Sequence, residues 1–388
     1  MHVRSWFRSY RLPLLLVALA TVLAACGADD DAPEPDPAAE EEAADEAEEP
    51  AEEEPADEPE EAADECDELT SITVRLNWVY NYNQVPLMTA HDRGYYEDEC
   101  LDVSLEAGDG SADTVTSVAS GAADVGLSDA IAVMQGQAQD LPVTGVGVLW
   151  RQNAFALLAR QGALEEQGID ELQPDDLEDL LLGAVTTGSP YIFWQAFIEQ
   201  QGLDPDAIEQ VSISPPGFAE LAQGSVDFIA NFSGARFALE RQGVEVEMLL
   251  GQDHGQEGYG LSFIANDDWL AEEGSDEAMR GFLRATARGM MFSGENDVEA
   301  MDHVAAFNPD VGLDEEAAEQ ERLPHLDSVE LWADGGMNAP EEFLRFDESG
   351  LRSTQALLYD AEILEGEPFE VMDYWTDEYL PEPDDYLD

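Results

Sequence analysis

Ser71-Ile72-Thr73-Val74-Arg75-Leu76 runs directly into Asn77-Trp78-Val79-Tyr80-Asn81-Tyr82-Asn83-Gln84. The first six residues alternate and are rich in β-branched side chains, which predicts a strand. The next eight are, Val79 apart, amides and aromatics, which predicts a loop. Pro86 to Asp92 reads as a short helix, entered through proline and stopped by Gly94. Leu101 to Leu105 is a second strand, after which Gly108-Asp109-Gly110-Ser111 opens a helix to about Ser120. Ala123 to Leu127 is a third strand, with Ser128-Asp129 placed to cap the following helix, and Val143 to Trp150 is a fourth. Strands alternating with helices in this way predict parallel βαβ units.

The rhythm then repeats. Gly183-Ala184-Val185-Thr186 leads to a helix through Gln201, then Val211 to Ser214, a helix ending near Gln223, and Val226 to Ala230. Ala119-Ser120-Gly121-Ala122 precedes Ala123-Asp124-Val125 in the first run, as Ala222-Gln223-Gly224-Ser225 precedes Val226-Asp227-Phe228 in the second. The expected fold is therefore α/β with two similar lobes, each a mainly parallel sheet flanked by helices. Ala278 to Ser293 and Ser349 to Leu364 read as longer helices returning across the first lobe.

Charge narrows the function. The 388 residues carry 88 Asp+Glu against 15 Lys+Arg, a formal net charge of -73, and every basic residue is an arginine. Without lysine there is no Schiff base to pyridoxal phosphate and no P-loop lysine. Nucleic acid is excluded as a partner, because phosphate binding needs clustered positive charge. Residues 69–388 hold 65 acids and 12 arginines, so the excess covers the globular part too. A surface adapted to high salt explains this better than one chosen to attract a cationic ligand, since the excess runs through the whole chain.

Residues 1–25 read as a secretory signal: Arg4, Arg8 and Arg11 precede an apolar run from Leu12 to Ala25, too short for the ~20 residues of a membrane span. Leu23-Ala24-Ala25-Cys26-Gly27 resembles the lipobox of bacterial lipoproteins, which implies a diacylated Cys26; an ordinary signal with a chance cysteine is the alternative. Residues 26–68 form an acidic tether, with 23 acids between Asp29 and Glu68. An exported chain meets an oxidising compartment. Cys66 and Cys100 each stand just before a predicted strand, so adjacent parallel strands would bring them together as a disulfide; two free thiols are the other possibility.

No nucleophile elbow, His-Glu-x-x-His, Cys-x-x-Cys or dinucleotide fingerprint is present, and no two of the five histidines have metal-ligand spacing. Neither metal nor cofactor is expected. The loop after the first strand does stand out, because open α/β sheets bind ligands beyond the carboxyl ends of their strands. Trp78, Tyr80 and Tyr82 offer flat faces, and Asn81, Asn83 and Gln84 offer donors and acceptors; a core Trp78 with turn-forming asparagines is the plainer alternative. Asp109, Gly110, Ser111, Ser128, Asp129, Gly188, Ser189 and Tyr191 sit at predicted helix starts, where free N–H groups can bind anions and where Ser and Asp are also ordinary caps. Asn231, Asp253 and Tyr259 complete the candidate binding set.

Arg75-Leu76-Asn77-Trp78, Asn81, Asn83-Gln84-Val85-Pro86, Ala90-His91-Asp92-Arg93-Gly94-Tyr95-Tyr96, Cys100-Leu101-Asp102-Val103 and Ala119-Ser120-Gly121-Ala122-Ala123-Asp124-Val125-Gly126 together resemble the ABC-importer solute-binding family for nitrate, sulfonates and thiamine-type pyrimidines. Tyr96 and Cys100 depart from its usual Phe and Gly. The resemblance implies a monomer of two lobes closing over a solute, tethered at the outer face of the cell membrane and presented to a membrane permease. It places lobe I at 69–156 and 262–388 and lobe II at 157–261, with crossings near Ala154–Ala159 and Gly260–Ala265. The spacing of Trp78, Asn81 and Asn83 is most like that of the thiamine-pyrimidine binders. A riboflavin-like ring comes second and a sulfonate or nitrate third, with Arg151 and Arg236 the candidate anion holders. A related fold serves pyrimidine synthases, but those need a lysine. A purely structural surface lipoprotein would not need such a loop.

Overall fold

Among the described residues of the computed structural model (66, 68–186 and 188–387), ten strands form two five-stranded sheets. Residues 1–65, and with them the signal, Cys26 and nearly all of the tether, lie outside the described residues. The first sheet runs β2 (Leu101–Glu106), β1 (Thr70–Arg75), β3 (Val125–Asp129), β10 (Leu261–Asn266), β4 (Val143–Val148). The second runs β7 (Gln210–Ser212), β6 (Leu182–Ala184), β8 (Phe228–Phe232), β5 (Phe155–Arg160), β9 (Val246–Leu250).

Both sheets use one plan. β1 is parallel to β2 and β3, and β6 is parallel to β7 and β8. In each sheet the fourth position is antiparallel to its neighbours, β10 in the first and β5 in the second. These are the strands delivered from the other lobe. The parallel strands end facing the opposite lobe, so a chain that crosses must begin its next strand on that side and run away from it.

Burial follows position in the sheet. Edge strand β2 alternates buried and exposed residues, whereas central β3 and the first five residues of β5 are buried on both faces. The expected crossings at Ala154–Ala159 and Gly260–Ala265 are thus corrected: these residues are largely β5 and β10, and the connections run through 149–154 and 251–260. Phe155-Ala-Leu-Leu-Ala-Arg hid as a strand because full burial removes the alternation and its Ala and Leu favour helix.

The helices around the first sheet fall close to expectation, at Val85–Asp92, Ser111–Ala119 and Ser275–Glu295. The C-terminal return does not stay on the first lobe. The Glu348–Asp360 helix packs against both the Ala130–Gln137 helix of the first lobe and the Ser189–Gln201 helix of the second. One apolar cluster consequently continues through both lobes, joining Val133 and Ile264 to Phe193, Phe228 and Leu357. β1 and β2 align Thr70 with Leu101, and Cys66 and Cys100 are joined as a disulfide with Cα atoms 5.5 Å apart.

Candidate functional site

Three strand ends meet where β1, β2 and β3 stop. Gly108 makes this possible: a Cβ there would lie 1.9 Å from the Leu76 carbonyl oxygen. Its N–H donates to the Trp78 carbonyl at 3.1 Å, and Thr114 Oγ1 donates to that of Leu76 at 2.8 Å. The loop after β1 then holds its own shape. Gln84 Nε2 donates to Asn77 Oδ1 at 2.7 Å and Gln84 Oε1 accepts from the Asn81 N–H at 3.0 Å. Asn81 Oδ1 accepts from the Asn83 N–H at 2.9 Å. Gln84 is fully buried, so its amide serves the loop rather than an open surface.

The aromatics divide. Tyr80 is tied inward, its hydroxyl donating to the Leu105 carbonyl at 2.9 Å and its ring 5.5 Å from that of Phe307. Trp78 is not core; it is 37% exposed. Tyr82 is half-buried and reaches the second lobe: a Cβ on Gly234, which follows β8, would lie 2.6 Å from the Tyr82 hydroxyl oxygen. The Tyr82 N–H donates to Glu321 Oε2 at 2.7 Å. Burial and the Glu321 carboxylate push the Tyr82 phenol well above its usual range, and burial also raises Glu321. Asn83 is buried and its Oδ1 has no hydrogen-bond partner.

Beside this loop lies Asp129, at the end of β3 and 2% exposed. It precedes a helix but does not cap it, contrary to expectation. Its Oδ2 accepts from Ser111 Oγ at 2.8 Å, and its own N–H donates to the same Oγ at 3.0 Å. Ser128 Oγ donates to the Ser111 carbonyl at 3.1 Å. Burial raises the Asp129 carboxyl, opposed by the hydroxyls of Ser189 and Ser111. Ser189 belongs to the second lobe, so this carboxylate faces the space between the lobes, and its Oδ1 makes no bond of its own. Gly110 and Gly188 stand ahead of the Ser111 and Ser189 helices, and neither helix start has a side-chain cap.

Other candidates lie elsewhere. Asp109 is exposed. Tyr191 lines a lateral cavity of about 240 Å³ with Trp194 and Gln210, its hydroxyl 3.4 Å from Gln210 Oε1. Asp253 and Tyr259 line a different cavity, of about 500 Å³, at the two inter-lobe connections, where the Tyr259 hydroxyl accepts from the Asp347 N–H at 3.0 Å. Asn231, on β8, donates to the Pro216 carbonyl at 3.3 Å and so braces the segment that follows β7. Both candidate anion holders are engaged by acids. Arg236 pairs through two nitrogens with Asp327, at 2.6 and 2.8 Å, while Arg151 is surrounded by Asp334, Glu342 and Asp347 at 3.6–3.8 Å. Gly234, Glu321 and Asp327 were not foreseen. A glycine shortly after a second-lobe strand was the available signal for the first, whereas in so acidic a chain no single carboxylate carries one.

A family model described as NMT1/THI5 like matches residues 81–300. The chain belongs to that family. Among curated NMT1/THI5-like relatives, a formylaminopyrimidine-binding protein of Halalkalibacterium halodurans is 28% identical over 243 residues, covering 61% of this chain and 70% of that protein. A 4-amino-5-hydroxymethyl-2-methylpyrimidine phosphate synthase of Legionella pneumophila is 26% identical over 247 residues, covering 61% and 74%. The alkanesulfonate-binding protein SsuA of Xanthomonas axonopodis pv. citri, bound to MOPS, superposes with a TM-score of 0.59 over 80% of this chain and 99% of that one, at 15% identity. That likeness establishes a periplasmic-binding-protein fold and nothing about the ligand.

Proposed function

We propose that this NMT1/THI5-like chain is the extracytoplasmic solute-binding component of an ABC importer, capturing a small flat heteroaromatic solute of the thiamine-pyrimidine kind by lobe closure. The observation that carries the reading is the loop after β1, which holds both a partly exposed Trp78 and an Asn83 whose buried Oδ1 has no hydrogen-bond partner. A flat ring gains about 0.5–1.5 kcal/mol per aromatic pair beyond area burial. The unpaired amide then discriminates, since a buried polar group left unmatched costs about 1–3 kcal/mol. Residues 69–148 and most of 261 onward would move as one lobe and 155–250 as the other, with the Glu348–Asp360 helix packed on both and ligand shifting the population toward closure.

The family includes relatives named as synthases, but this chain has no lysine to hold pyridoxal phosphate, so binding is the reading we adopt. Anchoring through Cys26, an extracytoplasmic location, a permease partner and a monomeric state belong to the same proposal; acyl chains on Cys26, found by mass analysis of membrane extracts, would test the anchor. Oxyanion capture is the second reading, favoured by the uncapped helix starts at Gly110 and Gly188. Calorimetry against a thiamine-type pyrimidine, riboflavin, taurine and nitrate separates the two. Trp78→Ala should weaken the pyrimidine about tenfold, roughly 1.4 kcal/mol, with the unliganded melting point unmoved. Tight binding of taurine or nitrate, indifferent to Trp78, would overturn the heterocycle reading.

A further inference from the structure

Asp129 is the most fully buried acid at the inter-lobe face, and its bonding is incomplete. Oδ2 is satisfied by Ser111, whereas Oδ1 has no donor in good hydrogen-bonding geometry and only the Ser189 hydroxyl of the second lobe close to the carboxyl group. Ser128, next to it in sequence, directs its hydroxyl to the Ser111 carbonyl instead. No arginine neutralises it among the ion pairs of the described residues. A carboxylate offers about four lone-pair positions, so a donor from outside can be accommodated even with Ser189 beside it.

We propose that Asp129 is the specificity-determining acceptor of the site: it selects a solute whose ring edge carries N–H donors, an amino or amidine group, and refuses oxyanions. This rests on the heterocycle reading above and narrows it. A ring amine placed against Oδ1 completes the carboxylate's hydrogen bonding in a setting nearly free of water, where charge-assisted bonds are short and strong. A sulfonate or nitrate in the same place sets acceptor against acceptor, and a second negative charge against the first wherever Asp129 is ionised, with Arg236 and Arg151 already held by acids. Such juxtaposition of like charge is a recognised device for rejecting the wrong partner.

The test titrates the purified protein with four probes: 4-amino-2-methylpyrimidine, the equally flat 2,4-dimethylpyrimidine that lacks the donor, acetamidine and taurine. The wild type should prefer the amino ring over the methyl ring at least tenfold, and Asp129→Leu should abolish that preference. The wild-type ratio alone decides the point if the variant does not fold. Equal affinity for the two rings, still dependent on Trp78, overturns the role of Asp129 and leaves the heterocycle reading standing. Acetamidine bound through Asp129, with neither ring bound, keeps the acceptor and discards the stacking. Taurine bound in preference to either ring, or no binding of any probe, overturns the proposal.

Discussion

Gly234→Ala tests lobe closure with one methyl group. Gly234 has φ −60° and ψ −20°, a conformation that alanine adopts freely, so the substitution brings no backbone strain within its own lobe. Its Cβ would lie 2.6 Å from the Tyr82 hydroxyl oxygen, 2.8 Å from Cζ and 3.1 Å from Cε2. Overpacking of this kind costs about 1–3 kcal/mol. Tyr82 is on the first lobe and Gly234 on the second, so the cost falls only on the state in which the lobes meet. That state should lose weight by about 5- to 150-fold, with affinity for solute falling by up to the same factor. Calorimetry reads the affinity, and small-angle scattering should show a larger radius of gyration without ligand. The unliganded melting point should barely change. An unchanged affinity with a lowered melting point would refute the reasoning, because it would mean that the contact belongs to one permanently rigid body.

Three further outcomes are expected. Replacing Cys66 and Cys100 with serine should lower stability by about 3–4 kcal/mol in the chain-entropy model for their separation of 34 residues, read by thermal melts; a change under about 1 kcal/mol would deny the bridge that weight. Melting points should rise from dilute buffer to molar potassium chloride, because the 65 acids against 12 arginines of residues 69–388 repel one another until screened, and a flat or falling curve would count against the high-salt reading. Burial holds the His325 imidazole down at about 4 from its ordinary 6.5, its Nε2 bonded to the Ser293 carbonyl at 3.0 Å. The unfolded chain then takes up a proton that the folded one refuses, so stability should fall as pH drops from about 6.5 to 4. His325→Gln should fall less over that window, with equal slopes refuting the assignment.

What the sequence reveals depends on how each residue is exposed to its surroundings. β1 and β2 were readable because one face of each meets polar surroundings, leaving alternation in Ile72 and Val74 and in Leu101, Val103 and Leu105. β5 and β10, buried throughout or nearly so, carry no such alternation, and the lobe crossings were misplaced for that reason. Position in the sheet also located the loop after β1 and the pairing of Cys66 with Cys100. It could not divide the loop's aromatics, since Tyr80 and Tyr82 differ only in what approaches from afar: Leu105 and Phe307 for one, Gly234 and Glu321 for the other. Asp129 was legible as a residue at a helix start but not as one bonded away from that helix. Ser111, which bonds it, and Ser189, whose hydroxyl faces the carboxyl group, are 18 and 60 positions away along the chain.

The unpaired Oδ1 of Asp129 also bears on how ligand and closure are coupled. With the lobes together this oxygen is cut off from solvent with only the poorly aligned Ser189 hydroxyl near the carboxyl group, so it bears part of the penalty of about 1–3 kcal/mol for an unmatched buried group. With the lobes apart, Ser189 withdraws and water can complete the carboxylate's bonding. The empty closed state therefore carries a handicap that the open state lacks. A solute bringing an N–H donor removes it, adding to whatever the ring gains on Trp78. About 5.5 kcal/mol of differential affinity takes a two-state equilibrium from 1:99 to 99:1, and one charged acceptor plus a stacked ring supplies a large part of that. A solute without the donor could still stack, but it would leave the handicap in place, so recognition of the ring edge and closure of the lobes are two effects of the same hydrogen bond.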